Sequence, residues 1–206
     1  MARIGILGGT FNPPHVGHLV CAQEAIVGLR LDHVLLLPAG VPPHKEVAAD
    51  PGAEVRAALC DAAVAGDDRL SVSRIELERP GASYTVDTLR VLHERTPEHE
   101  LTFIVGGDMA LSFPSWREPD AILELAELGV AERDGVRREA ISARLAALPG
   151  AAGRVSFFAM PRLDVSSSQI RARVAAGAPI RYLVPDAVAA RIDRDGLYRS
   201  PAGVGA

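Results

Sequence analysis

Lysine is almost missing from this chain of 206 residues: Lys45 is the sole one, and every other basic side chain is an arginine. Other shortages exclude whole classes of protein. Cysteine is limited to Cys21 and Cys60, too few for a disulfide framework, so both are expected to be reduced packing residues. No apolar run reaches the roughly 18 uncharged residues that a membrane helix needs. The opening MARIGILGG is too short and glycine-rich for a signal peptide. Excess positive charge is lacking too, since 22 basic against 26 acidic side chains leave a formal charge of -4, without the electropositive footprint of a duplex binder. A cytoplasmic protein with neither membrane nor nucleic acid as partner is expected, and any anionic ligand must be held by a local site.

What the chain has in plenty is apolar material, 48% of its residues, enough to fill the core of one α/β domain. Segments rich in Val, Ile and Leu recur at residues 3–7, 33–38, 70–75, 101–105, 128–131 and 154–159 and read as short buried strands. Helical patterns fall between and after them, at residues 16–29, 54–65, 85–94, 121–125, 136–148, 167–176 and 185–193. This alternation predicts a doubly wound α/β fold, a mainly parallel sheet with helices on both faces. A single domain over residues 1–199 is expected, with a C-terminal helical part at about 165–199 and a fraying tail of small residues at 200–206. The rhythm breaks once, at residues 39–52, a Pro- and Gly-bearing stretch after the second strand. Loops at strand C-termini are where such folds put ligands.

The strongest local signal follows the first strand: GGTFNPPHVGHL, residues 8–19. Gly8 and Gly9 let backbone approach a ligand with no Cβ in the way, and Pro13 and Pro14 forbid helix before His15. A helix must therefore start near His15 or Val16, presenting its N-terminal N–H groups and positive dipole end to an anion. His15 and His18, three apart, lie on one face of that first turn, where both imidazoles can donate to one phosphate. The pattern matches neither the dinucleotide fingerprint nor the GxxxxGK[ST] loop. It resembles the signature of nucleotidyltransferases with an HxGH motif, in particular the opening of the bacterial nicotinate-nucleotide adenylyltransferase family, whose fold is Rossmann-like. Two plainer readings stay open: histidines that merely cap a helix, and a zinc site of His15, His18 and Cys21, although six positions rotate Cys21 off the shared face.

The resemblance extends over nearly the whole chain. PAGVPPHKE, residues 38–46, resembles the family's Pro-Pro-His-basic loop, which implies that His44 and Lys45 meet the polyphosphate, the ammonium as a point charge. GASYTVDTL, residues 81–89, resembles the SYTxxTL stretch near the pyridine nucleotide, with Thr85 also a sensible helix N-cap. IVGGD, residues 104–108, resembles the IGxD element, implying Gly106 against adenosine and Asp108 on ribose hydroxyls. FPSWREPDAI, residues 113–122, supplies the lone tryptophan, Trp116, as the aromatic that stacks on nicotinate. DVSSSQIRARV, residues 164–174, resembles the IS[ST]TxIR motif, making Ser166, Ser167, Ser168 and Arg171 a second phosphate cradle beside Gly8, Gly9, Thr10 and Phe11. Three positions depart from the family pattern. Asn12 stands where Asp is common, Ser168 where Thr is usual, and AERDG at 131–135 only loosely matches an Arg-Pro-Gly turn, which makes Arg133 a weaker substrate contact.

The activity implied is attack by the phosphate of nicotinate mononucleotide on the α-phosphorus of ATP. His15, His18, Lys45 and Arg171 would be its catalytic residues, Mg2+ would arrive with ATP, and no dedicated protein metal site is expected. Homo-oligomerisation is left open. Competing readings are a phosphopantetheine adenylyltransferase, which shares the first turn but not the SYTxDTL stretch or Trp116, and a non-catalytic nucleotide sensor, which should have lost a phosphate contact. An RNA-binding role by analogy with HIGH-bearing tRNA synthetases lacks the basic surface it would need.

Overall fold

A computed structural model describes residues 1–42, 48–132 and 136–199. Its strands are β1 (Arg3–Gly9), β2 (His33–Pro38), β3 (Leu70–Val72), β4 (Glu100–Gly106), β5 (Glu127–Glu132) and β6 (Val155–Ala159). They form one sheet in the order β3-β2-β1-β4-β5-β6, with every neighbouring pair parallel. The helices are α1 (Val16–Leu29), α2 (Ala53–Val64), α3 (Thr85–Arg95), α4 (Gly107–Ser112), α5 (Pro119–Leu125), α6 (Arg138–Leu145), α7 (Ser167–Ala175) and α8 (Asp186–Arg194). The winding reverses between β1 and β4, which opens a crevice at the C-terminal ends of those two strands.

Alternation along the strands divides the core. Ile6, Leu37, Phe103, Val105 and Val130 pack with Val86 and Leu89 of α3, Ile122 and Leu123 of α5 and Ile141 of α6. Their neighbours Leu7, Leu36, Ile104 and Ala131 face the other way, against Ala22, Ala25 and Leu29 of α1 and Cys60 of α2. Helix α1 lies close to the sheet because a glycine makes room: a Cβ on Gly129 would sit 2.7 Å from Leu29 Cδ1. Such overpacking costs about 1–3 kcal/mol. A third cluster joins Leu59 and Ala63 of α2 to Ile170 of α7 and to Val188 and Ile192 of α8. The C-terminal helices thus dock outside α2, and this brings the start of α7 up to the first turn.

The parallel sheet with helices on both faces is the expected one; several boundaries differ. β3 ends at Val72 rather than at residue 75, because the Leu77 and Glu78 N–H groups fold back onto the Arg74 carbonyl at 2.8 and 3.0 Å. α4 falls outside the helical segments expected from the sequence pattern. α6 is shorter than residues 136–148, ending at Leu145 with a 3-10 turn at Pro149–Ala151 beyond. Among the described residues no helix is long and apolar enough to cross a membrane.

Candidate active site

The first turn leaves β1 at Gly9 and doubles back. Phe11 adopts φ +50°, a left-handed conformation that a bulky side chain rarely takes, and its buried ring comes so near Gly9 that a Cβ there would lie 3.1 Å from it. His15, extended at φ -144° and ψ 170°, follows the two prolines as the N-cap, so α1 begins at Val16. The His15 backbone N–H donates to His18 Nδ1 at 3.1 Å, which places the proton of a neutral His18 ring on Nε2. The two imidazoles stack, centroids 3.7 Å apart, and Phe11 meets His18 edge-on at 4.9 Å. Gly17 belongs to this geometry, since a Cβ there would lie 3.1 Å from both His15 Nδ1 and Val165 Cγ1. The end of α1 is less open than its sequence suggests. The Val16 N–H already donates to the Leu183 carbonyl at 3.0 Å.

The start of α7 is sewn to the same turn. Ser166 and Gln169 form a reciprocal cap: Gln169 N–H donates to Ser166 Oγ at 3.2 Å, and Ser166 N–H donates to Gln169 Oε1 at 3.0 Å. Ser167 Oγ donates to the Pro13 carbonyl at 2.8 Å. Arg171 donates through Nη1 to the Asn12 carbonyl at 2.7 Å and through Nη2 to Ser168 Oγ at 3.2 Å. Between the two helix ends lies a cavity of about 400 Å3 lined by Thr10, Phe11, Asn12, His18, Ala48, the three serines and Arg171. His18 is on its wall, whereas His15, 8% exposed, is buried behind it.

A second group of candidates gathers on the other side of Gly8. A Cβ on Gly8 would touch the Phe103 ring at 3.3 Å, and half-buried Trp116 meets that ring edge-on at 5.9 Å while its Nε1–H donates to Ser112 Oγ at 3.3 Å. The strand-like segment before α3 runs beside the exit of β2: Ser83 N–H donates to the Val41 carbonyl at 2.9 Å, and Ser83 Oγ accepts from the Gly40 and Val41 N–H groups. With Ser83 so engaged, the N-cap of α3 is Tyr84, and Thr85 is the first helical residue rather than the cap. Arg117 lies over the Tyr84 ring at 4.7 Å. Gly106 ends β4 and caps α4, with exposed Asp108 in the first turn of that helix. The remaining candidates, His44, Lys45 and Arg133, lie outside the described residues.

Two buried charged residues escaped the sequence reading. Arg56 of α2 is 0% exposed and donates to the Thr10 carbonyl (2.9 Å), the Gly40 carbonyl (3.2 Å) and Asp50 Oδ1 (3.0 Å). Its signal was available, because it falls in line with the buried Leu59, Cys60 and Ala63 of the same helix. Glu76 accepts from Thr88 Oγ1 at 2.9 Å, and burial pushes its carboxyl above the ordinary carboxylate range while bonds from Thr88 and Ser83 pull it part of the way back. Among the described residues no group of three His, Cys, Asp or Glu side chains could hold a metal ion. The donors around the cavity are hydroxyl, imidazole and guanidinium groups, suited to the oxygens of a phosphate ester.

A crevice at the switch point with two helix ends aimed into it is the arrangement of a nucleotidyltransferase, and the model of the cytidylyltransferase-like family matches residues 6–173. A protein of Roseiflexus sp. (strain RS-1) named "Probable nicotinate-nucleotide adenylyltransferase" is 46% identical over 96% of this chain and 98% of its own. One of the same name from Thermomicrobium roseum is 42% identical over 97% and 93%. The chain belongs to the nicotinate-nucleotide adenylyltransferase family. A solved structure of the Plasmodium falciparum nicotinic acid mononucleotide adenylyltransferase complexed with NaAD superposes with a TM-score of 0.77 at 17% identity, covering 96% of this chain and 98% of that one. At that identity it bears on the fold.

Proposed function

We propose that the protein transfers the adenylyl group of ATP to nicotinate mononucleotide, giving nicotinate adenine dinucleotide and pyrophosphate. The observation that carries this reading is the convergence of the α1 and α7 N-termini on one cavity, with His18, three serines and Arg171 on its wall. An oxygen of the mononucleotide phosphate forms the new bond to the α-phosphorus, the bond from that phosphorus to the bridging oxygen breaks, and the electron pair leaves with pyrophosphate. A phosphate monoester has its second pKa near 6, so close to neutral pH the nucleophile is largely ionised and needs no general base. The protein has instead to bring two polyanions into line and to meet charge as it shifts.

His18, accepting at Nδ1, presents an Nε2 donor to the reacting phosphates, and His15 serves them as the stacked partner behind it. Arg171 keeps N–H groups for phosphate beyond the two that anchor it to Asn12 and Ser168, since a guanidinium carries five. Lys45 and His44 are assigned to the leaving pyrophosphate, Gly106 and Asp108 to the adenosine, and Thr85 with Trp116 to the pyridine end, Arg133 more weakly. Mg2+ is assigned to the phosphate oxygens of ATP, where it would offset their charge, since the donor set of the cavity fits the phosphates rather than a bare cation. The cytoplasmic setting belongs to the same proposal. Its test is pyrophosphate release from ATP and Mg2+ with nicotinate mononucleotide or its amide at equal concentration. Strong preference for the acid is expected; equal use of both would overturn the acceptor assignment.

A further inference from the structure

We infer that Arg56 is a positioning residue for ATP: its buried guanidinium fixes the Thr10–Phe11 peptide so that the Phe11 N–H is presented to the phosphates. The inference rests on the proposed reading of the cavity as the ATP phosphate site, and it goes beyond that reading because Arg56 does not line the cavity. A guanidinium wholly removed from water is a poor way to stabilise a core, since an apolar side chain of similar volume usually serves as well or better. What an apolar residue cannot do is fasten three separate segments with a planar fork.

The three segments are those around the site. Nη1 holds the Thr10 carbonyl in the first turn, Nη2 holds the Gly40 carbonyl where the chain leaves β2, and Nε holds Asp50, whose Oδ1 also accepts from the Gly52 N–H at 2.9 Å. In a trans peptide the C=O and N–H point in opposite directions. With the Thr10 carbonyl turned down to Arg56, the Phe11 N–H therefore points away from it, at a residue that is itself on the cavity wall. Phe11 is also the residue held at φ +50°, a conformation that lasts only where the surroundings enforce it.

Gly40 is closely packed. A Cβ there would run into the Glu76 carbonyl oxygen, so the carbonyl that the fork grips belongs to a position where only glycine fits. Charge balance points the same way. Burial pushes the Cys60 thiol and the Tyr198 phenol, both near Arg56, well above their ordinary values, so neither supplies an anion. Asp50 is the counterion.

The test is the affinity of a methylene-bridged ATP analogue, measured calorimetrically on the full chain with thermal unfolding followed in parallel. Arg56→Met, which keeps the volume and removes the fork, is expected to weaken the analogue at least tenfold. Arg56→Lys, which keeps the charge but cannot span all three acceptors, should fall between it and wild type. Leu92→Ala, a core truncation on α3, gives the effect of lost stability alone and should leave affinity within twofold. If Arg56→Met does not fold, Arg56→Lys and Asp50→Asn carry the test, each expected to weaken binding several-fold. Wild-type affinity in folded Arg56→Met, or in both milder variants, would overturn the inference. Because binding is the readout, a wild type that holds the analogue yet releases no pyrophosphate with nicotinate mononucleotide would break the acceptor assignment and leave the Arg56 result legible.

Discussion

The two sides of the crevice are built by opposite means. On the side proposed to hold the phosphates, backbone carbonyls of the first turn are gripped by side chains far away in sequence: Thr10 by Arg56, Asn12 by Arg171 and Pro13 by Ser167. On the side proposed to hold the pyridine, the segment around Trp116 is tied to α3 by half-exposed ion pairs, Arg90 with Glu118 at 2.6 Å and Arg117 with Asp87 at 3.7 Å. Exposed pairs contribute little to stability and are screened by salt, whereas partly buried charge-assisted bonds to carbonyls define one geometry. The contrast matches the two tasks proposed for them. In-line transfer between phosphates depends on placement to within a fraction of an ångström, while a flat aromatic ring can be held by a surface that adjusts.

Breaking the rigid side should therefore show in turnover. His18→Ala is expected to lower kcat on the order of 10²-fold, by analogy with loss of a transition-state donor, with the folded state confirmed by its unchanged thermal transition. Unchanged turnover would remove His18 from the mechanism. Breaking the adjustable side should show in binding instead: Trp116→Ala is expected to raise the KM for nicotinate mononucleotide about tenfold, the equivalent of about 1.4 kcal/mol of lost stacking, with the KM for ATP little altered. If ATP affinity collapsed and the mononucleotide were unaffected, the two sides would have been assigned in reverse.

The smallest expected effect concerns the seam between them, where Glu76 meets Thr88 and Ser83. Its carboxyl is raised above the ordinary 4.5, so the folded chain binds the Glu76 proton more tightly than the unfolded chain does. Stability from this group is full below the ordinary value and is lost as pH rises through the window just above it. Glu76→Gln removes the titration while keeping an acceptor for Thr88. Urea unfolding at pH 4 and pH 7 should then show wild type losing stability relative to the variant between the two; a constant difference would contradict the assignment.

What could be read from the sequence was what is local. Two glycines, two prolines and two histidines three apart fix a turn, a helix start and a shared face without reference to the rest of the chain. The Ser-x-x-Gln spacing of Ser166 and Gln169 is an equally local cap signal, although the sequence reading took the serines only as a phosphate cradle. The parts that were missed depend on distant partners. Nothing near Val16 shows that its N–H is spent on Leu183, and nothing near Thr85 shows that Ser83 is bound to Gly40 and Val41, which moves the cap to Tyr84. α4 starts on two glycines, poor helix formers, and exists because β4 and α6 pack around it. Arg56 was visible only as a charge on an apolar stripe, and its meaning lies in three acceptors from three other segments.

The central claim is that this site works by positioning, with the acceptor phosphate attacking ATP directly. Rapid quenching of the enzyme with ATP labelled at the α-phosphate and Mg2+, first without and then with nicotinate mononucleotide, tests it most directly. The account predicts neither pyrophosphate burst nor labelled protein until the mononucleotide is added, when label passes into the dinucleotide. A stoichiometric burst without acceptor, with label retained on the denatured chain, would show an adenylated side chain and contradict it.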